Sequence, residues 1–199
     1  LIDWANIYFM NTRNERNQHK KETEDKQMAA ILSINAAGQS GKKINKNIYG
    51  HFSEHLGRCI YGGIYVGENS DIPNVNGMRT DVVQALKKIG VPVLRWPGGN
   101  FAGEFNWMDG LLPADMRAPF QSYLGLETQP HTMGYDFSEM NTDDFIALCR
   151  EIGAEPFITI NPCWNTPDEN AAWVEYCNGD VSTPYGKLRA NRGHQEPYN

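Results

Sequence analysis

Three times between Asn47 and Gly179 the sequence repeats one grammar: a short β-branched or aromatic run, a glycine-rich or polar loop, then a segment of helical period closed by glycine. Strands that alternate with helices pair in parallel, since a parallel partner is reached only through a crossover. The chain is therefore expected to be an α/β protein. The first strand is predicted over residues 47–52, followed by a long loop and a helix over 80–89. Val82, Val83, Leu86 and Ile89 form the apolar stripe of that helix, and Gly90 stops it. The second strand, 91–96, is apolar enough to imply burial on both faces. After a long loop from Pro97, a helix is predicted over 142–152 with Phe145, Leu148, Cys149 and Ile152 as its stripe and Gly153 as its stop. The third strand, 155–161, leads to a helix start with Thr166 as N-cap, Pro167 in the first turn and Glu169 closing a capping box. That helix runs through Ala172, Trp173, Tyr176 and Cys177 to Gly179, and Thr183-Pro184 opens a shorter one.

Three strand–helix units are too few for a closed eight-stranded barrel of ~250 residues. A small open doubly wound sheet and a partial barrel both fit, and the partial barrel is favoured because the sequence stops where a fourth strand is due. Residues 1–27 differ in kind: from Asn11 they are rich in Asn, Lys, Glu and Gln, carry five basic and five acidic side chains, and are expected to be an extension that buries little. The alternating apolar run at Ile31–Asn35 reads as a strand, so the domain is expected to begin at Met28.

With 18 basic against 24 acidic residues the net charge is −6, which gives no drive toward nucleic acid or anionic membranes. No run approaches the ~20 apolar residues of a spanning helix, and the N-terminus shows no basic stretch leading into an apolar one. The expectation is a soluble, unexported, cytoplasmic chain without nucleic-acid or membrane partners. The four cysteines form no CxxC pair, and His51 and His55 lack the helical spacing and the glutamate of a zinc motif, so neither metal nor cofactor is expected.

In parallel α/β folds ligands gather at the carboxyl ends of strands. All three predicted ends carry polar groups there: Glu54 after the first strand, Arg95 and Asn100 around Trp96-Pro97-Gly98-Gly99, and Asn161 with Trp164 after the third. A carboxylate, a guanidinium and two amides beside aromatic faces such as Phe52 suit a neutral polyhydroxylated ligand. Each residue also has a plainer reading. Arg95 and Glu54 would make an ion pair between neighbouring strands, Trp96 would fill core, Asn161 and Asn100 would cap turns, and the two histidines would be structural. The Gly98-Gly99 pair is a weak phosphate signal, because no helix starts directly after it and no lysine follows.

The run Tyr49-Gly50-His51-Phe52-Ser53-Glu54-His55 within residues 48–64, Leu94-Arg95-Trp96-Pro97-Gly98-Gly99-Asn100 within 93–101, and the stretches 152–156 and 173–179 closely resemble the N-terminal part of glycoside hydrolase family 51, mainly α-L-arabinofuranosidases. The resemblance covers about Met28 to Asn199. It implies a retaining (β/α)8 TIM-barrel hydrolase with a C-terminal β-sandwich: residues 28–46 would supply a strand to that sandwich, and 47–199 the first three to four βα units of the barrel. It implies removal of arabinofuranose from arabinan, arabinoxylan or their oligosaccharides, and hexameric assembly as in relatives. Carried over by position, Glu54, Arg95 and Asn100 line the pocket of the non-reducing arabinose, with Phe52, Asn161 and Trp164 as further candidates. Glu54 would accept from sugar hydroxyls, Asn100 would bond a hydroxyl near the reacting carbon, and Arg95 would orient the catalytic carboxylates.

The family's acid/base is the Glu of a Gly-Asn-Glu motif ending the fourth strand, and its nucleophile is a Glu near the seventh; neither motif occurs here. Residues 194–199 resemble the segment just ahead of that fourth strand, so both catalytic groups are expected beyond Asn199. Retaining hydrolysis needs two carboxyl groups ~5–5.5 Å apart. Glu54 alone cannot serve, and Glu104, Asp109 and Glu155 show no spacing that makes a replacement pair. Ser122-Tyr123-Leu124-Gly125 stands where many relatives have Trp-Gly in a wall of the sugar site. Two alternatives accompany this reading: a non-catalytic carbohydrate-binding module, and a family 51 enzyme of endoglucanase or xylosidase specificity. A partial barrel would expose strand edges, so poor solubility is expected of the isolated chain.

Overall fold

The computed structural model describes residues 32–33, 41–122, 135–136 and 138–199. The chain divides into a unit of residues 1–42 and a second unit of 43–199, which contains every element below. The extension expected over 1–27 and the strand expected at Ile31–Asn35 fall almost wholly outside the described residues, as does all of the 122–125 segment except Ser122.

In chain order the elements are β1 (His51–Phe52), β2 (Asn74–Val75), β3 (Met78–Arg79), α1 (Thr80–Ile89), β4 (Val93–Trp96), α2 (Trp107–Gly110), β5 (Phe120–Gln121), β6 (Tyr135–Asp136), α3 (Thr142–Ile152), β7 (Glu155–Ile158), α4 (Pro167–Asn178) and α5 (Pro184–Asn191). Strands β1, β4 and β7 form a parallel sheet in that order. Phe52 lies opposite Arg95, and Arg95 opposite Phe157. β2–β3 and β5–β6 are small antiparallel pairs.

The helices follow their local chemistry. Gly90 and Gly153 take left-handed conformations, φ 66° and 74°, at the ends of α1 and α3, where a side chain would be strained. Asn141 and Asp144 form a capping box at α3, and Thr166 and Glu169 form another at α4, which Pro167 opens. The α3 stripe of Phe145, Leu148, Cys149 and Ile152 is buried, as are Ala172, Trp173, Tyr176 and Cys177 of α4. The α1 stripe is shorter than expected: Val83 is buried, but Ile89, in the last turn, is 60% exposed.

Three sequence expectations are corrected. The first strand keeps only His51–Phe52, because Lys46–Tyr49 forms a 3-10 turn in which the Asn45 side chain accepts from Asn47 N–H and Gly50 N–H closes on Asn47 C=O. Asparagine favours this local bonding over a ladder. The second strand is not buried on both faces: Leu94 and Trp96 lie in the core, while Val93 and Arg95 are half-buried on the side where Phe52 and Phe157 are 49% and 55% exposed. Among the described residues no layer covers that side. The stretch after Pro97 is not plain loop. It contains a 3-10 turn at Phe101–Gly103, then α2, whose Asn106 side chain accepts from Met108 N–H.

Aromatic packing holds that stretch to the sheet. Phe105 meets Trp96 of β4 edge-on with centroids 4.8 Å apart, and Trp107 lies nearly parallel to Trp173 of α4 at 6.0 Å. Such contacts add about 0.5–1.5 kcal/mol each beyond the area they bury. Trp96 is thus a core residue, the plainer of its two readings.

Candidate functional site

β1 and β4 deliver their polar residues to one place, and the reason is a turn that the Trp96-Pro97-Gly98-Gly99 sequence makes possible. The Trp96–Pro97 peptide is cis. Past the strand ends the ladder continues as Ser53 N–H donates to Arg95 C=O and His55 N–H to Pro97 C=O, so Glu54 is carried alongside the turn. Its Oε1 accepts from Gly99 N–H at 2.9 Å and Phe101 N–H at 3.0 Å. Gly98 is required for that seat, because a Cβ there would lie 2.6 Å from Glu54 Cγ and 2.8 Å from Oε1.

Gly99 marks the centre of the cluster. A Cβ built on it would stand 3.4 Å from Arg95 Nη2, 3.5 Å from Phe52 Cζ and 3.8 Å from Glu54 Oε1. The carboxylate, the guanidinium and one aromatic ring therefore meet within a single small sphere. Asn100, the next residue, is exposed, and its side chain caps no helix, so its turn-capping reading fails.

Arg95 is not paired with Glu54. Its Cζ lies 4.5 Å from the Phe52 ring centroid, its Nη2 reaches Gly98 C=O at 3.4 Å, and its buried Nε has no partner among the described residues. Of the five N–H donors of the guanidinium, the Nη2 bond to Gly98 C=O is the one made among the described residues. The hydroxyl of Thr159, also buried and without a partner, follows Phe157 by two positions and so shares the face of Arg95. Sequence reasoning missed Thr159 and the role of Gly98; strand alternation was the available signal for the first.

The third strand end behaves differently. Asn161 is 1% exposed, and its side chain is bonded at both ends: Oδ1 accepts from Cys163 N–H and Trp164 N–H, and Nδ2 donates to Phe105 C=O. The structure favours the turn-capping reading of Asn161 over a ligand contact, because its side chain is buried and both Oδ1 and Nδ2 bond to the protein. Trp164 leaves its ring 78% exposed beyond that turn.

His55 is buried, accepting at Nε2 from Trp96 Nε1–H at 2.9 Å, 2.8 Å from Tyr61 Oη at Nδ1, and stacked on Phe101. His51 is exposed. Among the described residues no three His, Cys, Asp or Glu side chains are grouped to hold a metal. Burial pushes the Cys149 and Cys177 thiols up to about 12, which makes them core groups rather than thiolates.

Fold and cluster together define a class: a parallel α/β protein whose uncommitted donors and acceptors collect at the carboxyl ends of adjacent strands. Residues 85–199 match the family model of the alpha-L-arabinofuranosidase 1 domain. The chain is 45% identical over 175 residues to a probable alpha-L-arabinofuranosidase C of Aspergillus niger, covering 87% of this chain and 32% of that protein. It is 44% identical over 173 residues to the intracellular exo-alpha-L-arabinofuranosidase of Bacteroides ovatus, covering 86% and 32%. The structure of the GH51 alpha-L-arabinofuranosidase from Thermotoga petrophila RKU-1 superposes with a TM-score of 0.71 at 50% identity, over 78% of this chain and 31% of that one. The chain belongs to glycoside hydrolase family 51, and it spans about a third of the length of the relatives it matches.

Proposed function

We propose that this chain supplies the opening βα units of a (β/α)8 barrel in a retaining α-L-arabinofuranosidase and forms one wall of the pocket for the terminal arabinofuranosyl residue. The observation that carries this is the convergence of Glu54, Arg95 and Phe52 about Gly99, with Asn100 uncommitted beside them. A furanose offers hydroxyls that both donate and accept, which match a carboxylate oxygen, an amide and a guanidinium. Phe52 gives the ring an apolar face. Arg95, with its Nε buried and unpartnered, is placed to hold the charge of the catalytic carboxylates.

Those carboxylates belong to the remainder of the polypeptide, in keeping with the one-third coverage of relatives. The substrate class is arabinose-containing oligo- or polysaccharide. Residues 28–46 are assigned to a strand of a β-sandwich, and the complete enzyme to a hexamer inside the cell, the last following the name of the Bacteroides ovatus relative.

The test is direct. A polypeptide of the relatives' full length should release the chromophore from an aryl α-L-arabinofuranoside faster than from a β-D-xylopyranoside, and should not cut cellulose. The 199-residue chain should turn over none of them. Turnover by the short chain, or a full-length protein inert on the arabinofuranoside, overturns the proposal.

A further inference from the structure

The structure assigns Glu54 a second task, distinct from contacting sugar: it is the positioning residue that folds residues 97–101 and thereby presents Asn100. This deepens the proposed function and rests on it only for the sugar. The two carboxylate oxygens are unequally employed. Oε1 takes both Gly99 N–H and Phe101 N–H, at 2.9 and 3.0 Å, and these two amides flank Asn100 in sequence. The backbone of Asn100 is thus held on both sides by one oxygen that arrives from a different strand. Its own amide side chain is left uncommitted and exposed.

The rest of the turn is shaped around the same oxygen. Gly98 has no Cβ to occupy the Glu54 seat, and a Cβ there would come within 2.8 Å of Oε1. Arg95 Nη2 donates to Gly98 C=O from the other side. Among the described residues no hydrogen bond engages Oε2, which leaves that oxygen for a sugar hydroxyl. The inference separates two roles that a simple alanine replacement would merge: one oxygen for the protein and one for the ligand. A glutamine can keep the first, since its amide oxygen still accepts from two N–H groups, but it replaces the second acceptor with a donor.

The test reads amide hydrogen exchange at Gly99 and Phe101 by mass spectrometry of peptides spanning them, in a polypeptide of the relatives' full length and without sugar. Two hydrogen bonds to a charged acceptor protect these amides, so E54A should speed exchange at both by about tenfold or more. Amides of α1 and α3 should be unchanged. E54Q should restore protection. G98A, which leaves the carboxylate in place but fills its seat, should speed exchange at the same two amides and so gives an independent reading if E54A loses its fold. Exchange at Gly99 and Phe101 no faster in G98A than in the parent, or E54Q as unprotected as E54A, overturns the inference. Arabinose titration of the full-length E54Q protein forms a separate arm: affinity should fall although the turn is intact. Parental affinity in E54Q removes the ligand role of Oε2. If the exchange arm succeeds and the parent protein binds no arabinose, the proposed function fails while the positioning role stands.

Discussion

Removing the carboxylate of Asp143 should destabilise this chain more than any single hydrogen bond would suggest, because one side chain closes three elements together. Asp143 lies in the first turn of α3 and is 8% exposed. Its Oδ1 accepts from Tyr176 Oη–H of α4 and from Tyr198 Oη–H, each at 2.6 Å, and its Oδ2 accepts from Arg192 Nε–H at 2.9 Å. Both phenols are buried, with Tyr176 fully excluded from solvent and Tyr198 7% exposed, so water cannot take the place of the lost acceptor. Burial and this carboxylate raise both phenol pKa values well above the ordinary tyrosine range, so both remain donors. A buried donor left unpaired costs about 1–3 kcal/mol. Two of them, in D143A, give about 2–6 kcal/mol. Arg192 adds little, since its side chain is 28% exposed and can turn to water. Domains of this size are stable by about 5–15 kcal/mol, so the loss is a large fraction of the whole. Y198F deletes one donor and should cost about 1.5–3 kcal/mol. The assay is urea unfolding followed by tryptophan fluorescence, since Trp107 lies 5.4 Å from Tyr176 between ring centroids. In a double-mutant cycle, D143A and Y198F should be coupled by more than ~0.5 kcal/mol. A D143A chain within ~1 kcal/mol of the parent, or additive single effects, would refute the idea that the carboxylate organises this corner.

Two further perturbations act through separate physics. The carboxyl of Asp144 is raised from 3.8 to about 6, chiefly by burial and partly by Asp143, against the lowering effect of Asn141 N–H. Its folded-state pKa exceeds its unfolded value, so the native chain holds the proton more tightly and stability falls as pH rises from about 4 to about 6. D144N keeps an acceptor for Asn141 N–H, so it should match the parent near pH 4 and exceed it by up to about 3 kcal/mol at pH 7; a constant difference across that range would count against the assignment. G153A should cost about 1–2 kcal/mol through backbone strain alone, since φ is +74° and nothing lies within 4 Å of an added Cβ. G153N should lose less, and equal melting temperatures for the two variants would contradict this.

What could be read from the sequence was what neighbouring residues decide. α1, α3 and α4 carry their own stops and starts, in Gly90, Gly153 and the Thr166–Glu169 box, so their limits follow from a few positions each. The β2–β3 hairpin was equally local and was overlooked: Asn76-Gly77 has positive φ at both positions, 51° and 78°, the turn that asparagine-glycine favours. The structured region after Pro97 is another matter. Phe101 stacks on His55, and Trp107 stacks on Trp173. Partners so far apart along the chain leave no periodic trace, and a stretch rich in glycine and proline reads as loop.

The site divides along the same line. Strand ends and residue types suffice to nominate Glu54, Arg95, Asn100 and Asn161, because a parallel sheet brings such positions to one rim. They do not separate Asn100 from Asn161, two asparagines just beyond two adjacent strands. The separation comes from tertiary packing. Phe105 C=O reaches over to take Nδ2 of Asn161, and the backbone N–H groups of Cys163 and Trp164 take its oxygen. At Asn100 the corresponding N–H three residues on, that of Gly103, donates to the backbone C=O of Asn100 and not to its side chain. A carboxylate placed far earlier in the sequence holds the backbone on either side of Asn100, and the glycine at position 98 matters because that carboxylate must fit against it. Chemistry of this kind depends on what a residue's neighbours have already bonded, and that information exists only once the chain has folded.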